Sequence, residues 1–70
     1  MQATKLQRFL LGVELIRHYE IDADMEVNHG FINVGSREVG YSKMLEHERA
    51  SMERWGWVEG CQGWSFYPVD

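Results

Sequence analysis

From Leu6 to Tyr19 the apolar positions recur at helical spacing. Leu6, Phe9, Leu10, Val13 and Ile16 follow i, i+3, i+4, i+7 and i+10, and Leu11, Leu15 and Tyr19 widen the stripe. Lys5, Gln7, Arg8, Glu14 and Arg17 take the wet side. The pattern predicts a helix from about Ala3 to Tyr19. Gly12 interrupts it, at a cost of ~1 kcal/mol relative to alanine, and so predicts a close helix–sheet contact.

After Tyr19 the period changes to two. In EIDADMEVNHG, Ile21, Ala23, Met25 and Val27 alternate with Glu20, Asp22, Asp24 and Glu26. Phe31-Ile32-Asn33-Val34 is a second β-rich run. Register selects the turn between them, because a slip of one residue exchanges the faces. A two-residue His29-Gly30 loop sets Val27 against Ile32, Met25 against Val34 and Glu26 against Asn33, with glycine supplying a positive φ. It predicts Ile21, Ala23, Met25 and Val27 inward and the four acids outward. Asp22 is then expected near Arg37.

The segment SREVGYS reads as a connector broken by Gly35 and Gly40. A second helix is predicted from Lys43 to Trp55, with Ser42 as N-cap and Gly56 as the C′ residue, beyond which Trp57 folds back onto the last turn. Its apolar face is thin: Leu45, Met52 and Trp55, with Met44 beside them. A second hairpin follows, its loop centred on Cys61-Gln62. It sets Trp57 against Phe66 and Glu59 against Trp64, and leaves Val58, Ser65 and Tyr67 on the other side. Pro68 ends the last strand or marks an edge. The order αββαββ predicts an α+β fold. The expected form is a single domain over residues 1–70, an antiparallel sheet of two hairpins with two helices packed on one face.

Composition narrows the function. The chain has 70 residues, is 44% hydrophobic and 26% charged, and carries a net charge of −4. That is a small folded domain with a small core. No apolar run approaches the ~20 residues of a membrane span. The amino-terminal MQATKLQRFLLGVELI is superficially like a signal peptide. However, Arg8, Glu14 and Arg17 and the helical spacing favour a mature helix. A lone Cys61 excludes an internal disulfide and points to a reducing cytoplasm. The acidic balance and the lack of a basic block disfavour nucleic acid as a partner and favour a protein with a basic surface.

Candidate chemistry is sparse. Asp22-x-Asp24-x-Glu26 has the 1, 3, 5 spacing of a calcium loop, but Val27 stands where glycine is needed and Asn33 where glutamate is needed. His18, His29, His47 and Cys61 lack paired metal spacing, and His47-Glu48 fails as HExxH because Ser51 follows at the ligand position. No nucleophile motif is present. The reading calls for no catalytic residue, no metal and no cofactor. Five aromatics, Trp55, Trp57, Trp64, Phe66 and Tyr67, crowd the carboxy-terminal third. Their number predicts at least one tryptophan on the surface as a binding anchor, with Trp64 first. Residues 55–70 hold no lysine or arginine, yet have Glu59 and Asp70. The predicted partner surface is therefore Glu20, Asp22, Asp24, Glu26 and Trp64.

An amphipathic helix, a hairpin, then LEHERASMERWGW and GWSFYPVD give a layout that resembles small phage- or prophage-encoded α+β proteins. These include counter-defence proteins such as anti-CRISPRs, and host-takeover factors. The resemblance is one of size and layout over the whole chain and transfers no residue-level role. It implies a non-catalytic inhibitor or modulator in the host cytoplasm that occupies a basic surface of a host protein. Two other classes are weighed against it. One is a small nucleic-acid-binding regulator using Lys5, Arg8 and Arg17 as a basic face. The other is a self-associating structural subunit, a homodimer joined through edge strands.

Overall fold

The computed structural model describes residues 3–68; Asp70 lies outside them. Helix α1 spans Lys5–Tyr19. It starts two residues later than predicted because Thr4 is its N-cap. The Thr4 hydroxyl accepts from the Gln7 amide at 3.1 Å, and the Gln7 side chain accepts from the Thr4 amide at 2.8 Å. This reciprocal capping satisfies two otherwise orphaned donors. Arg17 and His18 sit in the last turn, where cations complement the helix dipole.

Four strands follow, β1 (Met25–Asn28), β2 (Phe31–Val34), β3 (Trp57–Gly60) and β4 (Gly63–Phe66), forming one antiparallel sheet in the order β1-β2-β4-β3. The two hairpins are thus joined through their second strands. Both predicted registers hold. Val27 opposes Ile32 and Met25 opposes Val34; Trp57 opposes Phe66 and Glu59 opposes Trp64. The first turn has φ 53° at His29 and 81° at Gly30, as a type I′ hairpin requires at both central residues.

Pairing of β2 with β4 sets Val34 against Trp64 and Ile32 against Phe66. Two apolar rows therefore cross one face of the sheet, and both helices lie on that face. The core is Ile16, Val34, Met44, Met52, Trp57, Trp64 and Phe66. Phe9 of α1 stacks on Trp57 at 5.5 Å and meets Phe66 edge-on at 5.3 Å. Gly12 is where the helix touches the sheet. A Cβ there would fall 2.0 Å from Trp57 Nε1, and that nitrogen donates to the Arg8 carbonyl at 3.1 Å. Trp57 therefore packs onto α1, and it shares the core with Met52 of the second helix.

Among the described residues, no helix lies on the opposite face. Its central row is Glu26, Asn33, Ser65 and Val58, with the Ser65 hydroxyl donating to the Asn33 side-chain oxygen. The Phe31 and Tyr67 rings meet beside it, tilted, at 5.0 Å.

Two expectations about the first strand are corrected. The first strand was expected from Ile21, but Ile21 and Asp22 form a turn and β1 begins at Met25. The side chains of Ile21, Met25 and Val27 were expected inward, yet they are 74%, 57% and 64% exposed. Met25 and Val27 do point to the helix-bearing face. Strand order places β1 at the sheet edge, however, while the mutually packed rings of Phe9, Trp57 and Phe66 hold α1 over β3 and β4. Of the four, only Ala23 packs against the core.

The second helix, α2, is Glu46–Arg54 and not Lys43–Trp55. Ser42 does not cap it, because Ser42 closes a π-helical turn over Arg37–Tyr41, donating to the Arg37 carbonyl from its amide at 3.0 Å and its hydroxyl at 2.7 Å. Ser36 caps that turn by accepting from the Val39 amide at 3.2 Å. Glu48 then starts α2 by accepting from the Leu45 amide at 2.8 Å. Met44 enters the core and Leu45 is exposed, the reverse of the expected order. Gly56, with φ 95°, ends α2 as predicted.

Candidate functional site

The chain leaves α1 through a tight turn, in which the Ala23 amide donates to the Glu20 carbonyl at 3.0 Å. This turn separates the acids that alternate in the sequence. Glu20 is half-buried, and its Oε1 accepts from the Ser36 amide and the Ser36 hydroxyl, each at 2.9 Å. It joins α1 to the start of the π-helical turn and is unavailable as a contact surface. Asp22, Asp24 and Glu26 are exposed. Asp24 Oδ1 accepts from the Met25 amide at 2.8 Å, and the Asp24 carbonyl accepts from the Gly35 amide at 2.8 Å. Glu26 stands on the helix-free face of β1.

Arg37 does not reach Asp22. Its guanidinium pairs with the Glu59 carboxylate and donates to the Gly60 carbonyl at 3.0 Å. Hydrogen bonding to Arg37, then to Tyr41, holds Glu59 below the usual carboxylate range, and the same pair raises Arg37. The guanidinium groups of Arg37 and Arg49 both lie over the Tyr41 ring, at 5.0 and 5.2 Å from its centre. Farther along, the Tyr19 hydroxyl donates to Glu48. That bond raises the Tyr19 phenol and, together with the bond from the Leu45 amide, holds the Glu48 carboxyl below its usual range.

Trp64 is corrected more sharply. It is 1% exposed, lies 4.9 Å from Tyr41 and belongs to the core. A side chain so enclosed makes no contact with a partner while the domain stays folded. Trp57 is buried and Trp55 half-buried, so the predicted surface tryptophan is absent among the described residues. The exposed aromatic is Tyr67, packed against Phe31. Sequence reasoning placed Tyr67 on the correct side and missed its exposure.

What remains together at the surface is the β1 edge. It offers acids at Asp22, Asp24 and Glu26, apolar side chains at Ile21, Met25 and Val27, and the backbone of an edge strand. On the helix-free face a shallow cavity of about 380 Å³ is lined by Asn28, Phe31, Asn33, Cys61, Gln62 and Ser65. The basic residues do not form one face: Arg8 and Arg17 are about two and a half helical turns apart and so lie on opposite sides of α1. Lys5 donates to the Pro68 carbonyl at 2.9 Å. Among the described residues no three His, Cys, Asp or Glu side chains converge to hold a metal ion, and no helix is long and apolar enough to cross a membrane.

No family model, curated protein or solved structure matches the chain.

Proposed function

We propose that this protein is a non-catalytic inhibitor or modulator that binds another protein through the β1 edge. The partner has a basic surface, and the setting is the host cytoplasm, as for phage-encoded counter-defence proteins. One observation carries the reading. Asp22, Asp24 and Glu26 are exposed beside Ile21, Met25 and Val27, which are exposed as well. The acids steer a cationic partner toward the edge, and the apolar side chains give the contact area that charge alone lacks. Glu20 and Trp64 drop out of the contact set and act by holding the fold.

The test is affinity capture from host lysate with the wild type and with Asp22→Asn/Asp24→Asn/Glu26→Gln, each at low and high salt. Charge steering is screened within about 10 Å at 0.1 M salt. The wild type is expected to retain a protein with a basic surface at low salt and release it at high salt. The neutralised variant is expected to lose it. Equal capture by both proteins, at both salt concentrations, sinks the reading.

A further inference from the structure

The sheet has two edges, and they differ. On β3, Arg37 reaches over from the π-helical turn to Glu59 and to the Gly60 carbonyl. On β1 the register shows which backbone groups face outward. In a two-residue hairpin the residues flanking the turn exchange hydrogen bonds, and the alternation then continues along the ladder. Asn28 and Glu26 thus bond to β2, and the bond from the Gly35 amide to the Asp24 carbonyl continues that sequence. Met25 and Val27 turn their backbone groups the other way, outward. Asp24 occupies the Met25 amide. The Val27 N–H, the Val27 carbonyl and the Met25 carbonyl face outward, on the strand whose apolar side chains are exposed.

We propose that the β1 edge adds an extended segment of a basic partner as a fifth strand, and that this segment alternates apolar residues with lysine or arginine. The inference rests on the reading of the protein as a binder of basic surfaces. Charge selects the occupant. A second copy paired through β1 would bring its own Asp22, Asp24 and Glu26 beside these three, and like charges across a strand pair repel. A basic segment places a cation beside Glu26 on the helix-free face. Its next side chains fall on the other face beside Met25 and Val27, where apolar residues fit. The three outward backbone groups supply the ladder, as in other strand additions.

The probe is a synthetic ten-residue peptide alternating valine and lysine, at low salt. Its controls are the valine–glutamate counterpart and a block-ordered peptide of the same valine–lysine composition. Amide hydrogen exchange is read residue by residue on the wild-type protein. The alternating basic peptide is expected to slow exchange at Val27 at least tenfold, while the glutamate and block peptides leave it unchanged. Val27→Pro removes the open N–H without changing charge, and proline is tolerated at sheet edges. It is expected to weaken peptide binding at least tenfold while Asn28 and Phe31 keep their native exchange.

No slowing at Val27, or no binding of the alternating peptide, overturns strand addition. So does equal slowing by the block peptide. Concentration-dependent protection of Val27 in the free protein would assign the edge to a second copy and also overturn it. The parent reading fails separately, by the equal lysate capture described above. A partner lost on neutralising the acids yet bound normally by Val27→Pro leaves that reading standing and removes this one.

Discussion

Gly12→Ala sets helix propensity against packing, and the geometry decides which prevails. Alanine in place of glycine inside a helix gains about 1 kcal/mol. Here the new Cβ would stand 2.0 Å from Trp57 Nε1, 2.3 Å from Cε2 and 2.8 Å from Cδ1. Carbon atoms rest at ~3.5–4.0 Å, so the ring or the helix must move by more than ~1 Å. The indole has little room to retreat, because Phe66 lies 5.1 Å and Phe9 5.5 Å from its centroid. Overpacking of this kind costs about 1–3 kcal/mol. Breaking the Trp57 bond to the Arg8 carbonyl adds about 0.5–1.5 kcal/mol. Net of the propensity gain, Gly12→Ala is expected to destabilise by about 0.5–3.5 kcal/mol. A value near 2 kcal/mol lowers Tm by about 8–16 °C in a domain of this size. Equilibrium urea unfolding followed by tryptophan fluorescence measures it, with the m-value expected to hold. In a Trp57→Leu background the penalty should shrink and the propensity gain emerge. A Gly12→Ala protein as stable as the parent would refute the argument, since helix and indole could not then be in contact at this point.

The other expectations are briefer. His29→Asn supplies a residue better suited to positive φ at the first turn position, so it should stabilise by a few tenths to about 1 kcal/mol in the same urea assay. Glu20→Ala strips the Ser36 amide and hydroxyl of their acceptor and should cost about 1–3 kcal/mol, whereas Asp22→Asn and Glu26→Gln should stay within about 0.5 kcal/mol; a reversed ranking refutes the division of the acids. Trp64→Ala should destabilise by about 3–5 kcal/mol by emptying the core, seen as a loss of the cooperative transition, where a surface anchor would leave Tm unchanged. The Glu48 and Glu59 carboxyls are held below their ordinary values by Tyr19 and Arg37. Their contribution is complete above the ordinary glutamate pKa of about 4.3 and is lost as pH falls through the lowered folded values. Tm measured from pH 6 to pH 2 should therefore fall less steeply in Glu48→Gln/Glu59→Gln than in the parent.

Both hairpin registers were legible because two kinds of local information agree. Alternation sets which residues share a face, and a two-residue loop sets which residues oppose one another. Gly12 was legible for a related reason, since a glycine that weakens a helix needs a close neighbour to justify it. Local pattern does not say where a strand lies across its sheet. Met25 and Val27 have the facing that their alternation implies, but no layer covers them, because β2 pairs with β4 and leaves β1 outside. The π-helical turn had no local signal either. Ser36 caps it, and the partner that binds the Ser36 amide and hydroxyl is Glu20, far off in sequence.

Counting aromatics failed at Trp64 because the tally took no account of how the rings stack. Phe9, Trp57 and Phe66 pack mutually within 5.1–5.5 Å, and Tyr41 lies against Trp64 on the same side of the sheet. Together they bury two tryptophans in a short chain, and the apolar surplus goes elsewhere: to Tyr67, to Leu6, Leu10 and Leu11 of α1, to Leu45 and Val58, and to Ile21, Met25 and Val27 at the β1 edge. The acid alternation also carried two meanings in one pattern. Glu20 serves the fold, while Asp22, Asp24 and Glu26 flank an apolar edge. An uncharged edge with these side chains would invite self-pairing. The acids discourage that outcome through repulsion between copies, and the same charges favour a cationic strand. Under the proposed function, protection from aggregation and choice of partner depend on the same residues. Neutralising Asp22, Asp24 and Glu26 should therefore raise self-association as it lowers capture of a basic partner, two effects in one variant that a merely solvated acidic face would not couple.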